Sequence, residues 1–108
     1  VEVTIQMGQE EKSRQKAVAL SYDAEKDRAP KVRAKGRGVV ARKIIETARA
    51  GGVPVTEDPD LVESLMRLET YEEVPPLLYR AVAELLAFAY RLNNKVGEER
   101  RSGSPGTL

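Results

Sequence analysis

Residues 31–56, "KVRAKGRGVVARKIIETARAGGVPVT", change period twice, and those changes decide the fold. Over residues 31–35 polar and apolar positions alternate. Val32 and Ala34 point to one side and Lys31, Arg33 and Lys35 to the other, as in a half-buried strand. Gly36 and Gly38 interrupt that alternation. Val40, Ala41, Ile44, Ile45 and Ala48 then recur at helical spacing, opposed by Arg42, Lys43, Glu46 and Arg49. Gly51 and Gly52 stop the helix. "VPVT", residues 53–56, reads as a short strand whose proline suits a strand start or a sheet edge. Strand, helix and strand in so short a span predict a crossover between parallel strands.

Working outward, "AVALSY" (17–22) alternates with Val18, Leu20 and Tyr22 on one side, and a polar loop closes at Pro30. "VEVTI" (1–5) has two readings. It alternates like a strand, or, with Met7 as a natural start, it is an upstream remnant. On the other side, Asp58 followed by Pro59 is a helix start, the aspartate as cap and the proline at the first helical position. Leu61, Val62, Leu65 and Leu68 follow at helical spacing, and Thr70 with Glu73 suggests a capping box. The longest helix runs through "PPLLYRAVAELLAFAYRLNN" (75–94). The final stretch combines charge, glycine, serine and proline and cannot offset its ordering entropy by burial. The expected organisation is a flexible or partly ordered segment over 1–16, one domain over 17–94 and a mobile tail over 95–108. The expected fold class is α/β, a small mixed sheet with helices packed around it.

A chain of 108 residues makes one domain with a single modest core. It has no cysteine and no histidine. Disulfides, thiolate nucleophiles, Cys/His zinc sites and serine–histidine triads are therefore excluded. The longest apolar run, "LLAFAY" (85–90), is far short of the roughly 20 residues that cross a bilayer, and no signal-peptide pattern is visible. A soluble, cytoplasmic protein without cofactor or metal is expected.

Arg28, Lys31, Arg33, Lys35, Arg37, Arg42 and Lys43 form a basic run, with no acid between residues 29 and 43. It lacks P-loop spacing, and its match to a dinucleotide fingerprint (Gly36, Gly38, Ala41) sits in a chain too short for that fold. A basic-surface nucleic-acid adaptor is the alternative it suggests. The net charge of only +1 favours a solvated strand face running into a helix turn. The acids at Glu57, Asp58, Asp60, Glu72 and Glu73 sit at helix starts and turns with no convergent catalytic set. The last helix is apolar over two adjoining stripes. One is Leu78, Val82, Leu85, Ala89 and Leu92; the other is Tyr79, Ala83, Leu86 and Tyr90. A second stripe is either buried by the rest of the domain or left open as a docking groove.

Taken together, "AVAL-Y", "APKV-AKG", "VP--EDP-L" and "LYRAVAE-LAF-Y-L", in this order and spacing, resemble the cytoplasmic C-terminal domain of the FlhB/YscU family of type III export-switch proteins. The resemblance covers residues 17–92 and implies that family's fold. Full-length members carry four transmembrane helices before this domain, which this chain lacks, so a stand-alone relative is expected. Members also cleave themselves at Asn-Pro-Thr-His, where the asparagine amide attacks its own carbonyl carbon. Here Lys12, Ser13, Arg14 and Gln15 occupy those places and Lys16 replaces the following tyrosine. Lysine has no amide with which to cyclise, so no catalytic residue is expected. The family's substrate-docking patch maps to Ala29, Pro30, Ala83 and Leu86. The resemblance implies a non-catalytic binding module for flagellar export substrates and export-apparatus proteins, docking peripherally at the export gate, with no nucleic-acid partner.

Overall fold

The structure, a computed structural model, describes residues 2–7 and 14–102, with side chains described to Leu92. Four strands form one mixed sheet: β1 (Glu2–Met7), β2 (Lys16–Ser21), β3 (Lys31–Arg37) and β4 (Val55–Glu57), in the order β3-β2-β1-β4. β1 is antiparallel to β2 and parallel to β4, and β2 is antiparallel to β3. β3 and β4 therefore run the same way at opposite edges, joined through α1 (Val39–Ala50), which is the predicted crossover. After β4 come α2 (Pro59–Met66), a 3₁₀ turn (Pro76–Leu78) and α3 (Tyr79–Ser102).

Of the two readings of the N-terminal stretch, the strand is the one observed. β1 is central, with Val3 and Ile5 fully buried, so the ordered domain starts ahead of residue 17. At the other end, α3 continues past residue 94 to Ser102 because no proline or glycine pair stops it; residues 103–108 of the expected tail lie outside the described residues.

Alternation along the strands sends side chains to both faces, and both are covered. Val3, Ile5, Val18, Leu20 and Val32 form one face, packed against Leu61, Val62 and Leu65 of α2 and Val82 and Leu86 of α3. Ala17 on the opposite face meets Ala41 and Ile45 of α1, with Val55 beside them. The small residues let α1 lie close: a Cβ on Gly36 would stand 2.2 Å from Val40 Cγ1. Gly38 caps the helix at φ 57°, a backbone geometry that side chains resist. The buried positions of α1 are Ala41, Ile45 and Ala48, while Val40, expected inward, lies over Gly36 with much of its surface open.

The expectation for β3 needs a correction. Ala19 pairs with Ala34 but Leu20 pairs with Val32, so Arg33 is the extra residue of a bulge. Beyond the bulge the parity flips, and Lys35 shares a face with its partner Val18. It is half-buried, and its Nζ donates to the Met66 carbonyl at 3.0 Å. Of the three expected outward cations only Arg33 is exposed, its guanidinium 5.8 Å from the centre of the Tyr71 ring. The start of α2 is as predicted, with Asp58 Oδ1 accepting from the Leu61 N–H at 3.1 Å. The Thr70–Glu73 capping box does not form, because no helix begins there. Residues 71–74 instead run along the outer edge of β3. Tyr71 and Val74 N–H donate to the Val32 and Pro30 carbonyls at 2.6 and 2.8 Å. That strap covers an edge that would otherwise present unpaired backbone groups.

Candidate functional site

Between α3 and the loop that follows β2 runs an open groove of about 780 Å³. Its α3 wall is Tyr79, Ala83, Leu86, Ala87 and Tyr90, ending at Arg91; its loop wall is Tyr22, Asp23, Ala24, Glu25, Arg28 and Pro30. Helical spacing explains the first wall. Tyr79, Ala83, Leu86 and Tyr90 recur at intervals of four, three and four on one side of α3, beside the face carrying Val82, Leu86 and Ala89 into the core. Ala83 and Ala87, one turn apart, leave a trough, and Tyr79 and Tyr90 stand at its ends, 41% and 55% exposed.

The loop wall is built by backbone-capturing acids. Asp27 Oδ2 accepts from the Asp23 N–H at 2.9 Å, and Asp23 Oδ1 accepts from the Glu25 N–H at 3.0 Å. The Lys26 and Asp27 N–H groups donate back to the Asp23 carbonyl at 3.0 and 2.7 Å. The backbone bond from Asp23, with Lys31 3.6 Å away, holds the Asp27 carboxyl below its ordinary range. Pro30 is fixed from the other side by the bond from Val74, and Arg28 reaches Glu73 at 3.3 Å.

Three of the four residues expected to form a docking patch meet here: Pro30, Ala83 and Leu86. Ala83 is exposed, whereas Leu86 is only 7% exposed, its side chain contributing to the core beneath the groove. The second stripe of α3 is thus divided between core and groove. Ala29 is buried, 3% exposed, and does not line the groove. The tyrosines and Ala87 were not among the expected site residues. Tyr79 and Tyr90 were visible in the second stripe, but nothing in the sequence brings Tyr22 across to them.

The groove combines apolar and aromatic walls with the charged side chains of Asp23, Glu25, Arg28 and Arg91, a surface that suits a chain segment carrying spaced apolar anchors. Among the described residues no cluster of acids is arranged to hold a metal ion. Four of the seven cations of the basic run have partners within the domain. Arg28 pairs with Glu73, Lys31 with Asp27 and Arg42 with Glu46, and Lys35 is taken up by the Met66 carbonyl. Of the places corresponding to the cleavage motif, Lys12 and Ser13 lie outside the described residues. No helix among the described residues is long and apolar enough to cross a membrane.

Comparison with known proteins matches residues 14–89 to the sequence model of the FlhB HrpN YscU SpaS family. YlqH of Bacillus subtilis is 46% identical over 85 residues, covering 79% of this chain and 91% of that protein. The flagellar biosynthetic protein FlhB of Aquifex aeolicus is 43% identical over 81 residues, of which this chain spans only 23% of the length. Among solved structures, the cytoplasmic domain of FlhB from Shewanella putrefaciens superposes with a TM-score of 0.75 at 29% identity, covering 89% of this chain and 74% of that one. A mutated EscU C-terminal domain gives 0.72 at 25% identity, covering 81% and 82%.

Proposed function

The chain belongs to the FlhB HrpN YscU SpaS family, and from that premise we propose that it is a non-catalytic binding module of flagellar type III export. In this reading it docks export substrates in the groove between α3 and the loop after β2, at the cytoplasmic face of the export apparatus. The observation that carries the reading is the convergence of Pro30, Ala83 and Leu86, from separate parts of the chain, on one apolar groove. A shallow groove of this kind gives modest affinity, which suits a substrate that must be handed on. The lysine at position 12, in the place of the family's cleaving asparagine, supports a module that does not cut itself. Calorimetric titration of a rod- or hook-type flagellar export substrate into the purified chain tests the docking role. Saturable binding that Ala83→Asp removes, with the fold intact, is expected. Absence of binding by the parent chain overturns it.

A further inference from the structure

α3 carries more apolar surface than the core and the groove use. On the side of its core face away from the groove, Ala81 and Phe88 are exposed, Leu85 is half-buried and Leu92 is 41% exposed. Phe88 alone leaves 53% of its surface open. Positions 81, 85, 88 and 92 follow the four-three-four spacing of a helix–helix seam. Along the outer border of that seam stand Glu84 and Arg91, both exposed, two turns apart, and neither in an ion pair with any described residue.

We propose that this stripe pairs with the same stripe of a second copy, antiparallel, about a two-fold axis between Leu85 and Phe88. The order of side chains carries the choice of partner. In an antiparallel pair the small Ala81 lies opposite the partner's Leu92 and Leu85 opposite the partner's Phe88, so bulk meets space at the ends of the seam and apolar side chains meet at its centre. Glu84 then faces the partner's Arg91, and Arg91 faces the partner's Glu84. A parallel pair in register puts the Glu84–Arg91 borders of the two copies on opposite flanks of the seam, where neither charge finds a partner. The complementarity is therefore reciprocal and is satisfied by this chain alone. A seam of four residues is far smaller than the roughly 20–30 residues a side of a stable complex, so the dimer is weak, with an expected Kd of about 100 µM.

Sedimentation velocity of the full chain, from low micromolar to near-millimolar concentration, tests the pairing independently of the groove. The sedimentation coefficient is expected to rise toward the dimer value. Phe88→Glu remains monomeric with unchanged helical content, since the side chain is half in solvent. Glu84→Arg and Arg91→Glu each weaken association by about tenfold, as two symmetric exposed pairs are lost, and combining them restores it. Ala83→Asp, in the groove, leaves association unchanged. A parent chain that stays monomeric throughout, or a combined swap no tighter than either single change, overturns the proposal.

Discussion

Ala83 and Leu86 lie three residues apart on α3 and border the same groove, yet a charge at each has opposite consequences. Ala83 is open to solvent, so Ala83→Asp keeps the fold while placing a carboxylate in the trough. Leu86 is in the core, where an unpaired charge is very costly, and Leu86→Asp is expected to unfold the chain. Even Leu86→Ala should cost roughly 2–5 kcal/mol. Thermal melts followed by circular dichroism separate the two positions, and equal melting of both Asp variants would contradict the assignment. Gly36 offers a second test. An added methyl would meet Val40 Cγ1 at 2.2 Å, so Gly36→Ala should destabilise by about 1–3 kcal/mol, read from denaturant midpoints. Helical spacing made both α3 residues candidates for one apolar stripe. Which of them the core claims depends on how α3 is rotated over the sheet, and spacing alone does not fix that rotation.

At the scale of elements, the loop after β2 shapes one side of the groove, and Asp27 is its fastener. Asp27→Ala removes the acceptor for the Asp23 N–H and should weaken groove binding with little change in global melting. The same carboxylate sets a pH response. Because its folded pKa is depressed below the ordinary 3.8, its contribution is fully present above that value and is lost as pH falls through the lower, folded one. The ¹³Cγ signal of the Asp27 carboxyl should therefore hold steady through neutral and mildly acidic pH and shift only below the ordinary carboxylate range. A shift near neutrality would contradict this. α2 rests on the Asp58 cap, and Asp58→Ala should cost about 1 kcal/mol. Glycine pairs and the Asp-Pro start made α1 and α2 legible in the sequence. The bulge at Arg33 was not, since a bulge leaves composition unchanged while flipping every later side chain. The strap over β3 was hidden for a similar reason. Its bonds are backbone bonds, and Tyr71 sits at φ 72° where no glycine announces the turn.

For the whole molecule, family membership and the sheet with α1 on one face and α2 and α3 on the other agree with the solved FlhB and EscU domains. The proposed roles add two expectations. The purified chain, incubated at neutral to alkaline pH, should keep its intact mass, because Lys12 has no amide to attack its own carbonyl carbon; two fragments parting just after Lys12 would contradict that. The central claim is that export substrates dock in the groove. Its most direct measurement is a ¹H–¹⁵N titration of the isotope-labelled chain with a rod- or hook-type flagellar export substrate. The account predicts saturable shifts concentrated at Tyr22, Pro30-flanking amides, Ala83, Ala87 and Tyr90, and their loss in Ala83→Asp. Shifts centred instead on the exposed face of α1, or a spectrum unchanged by saturating substrate, would contradict it.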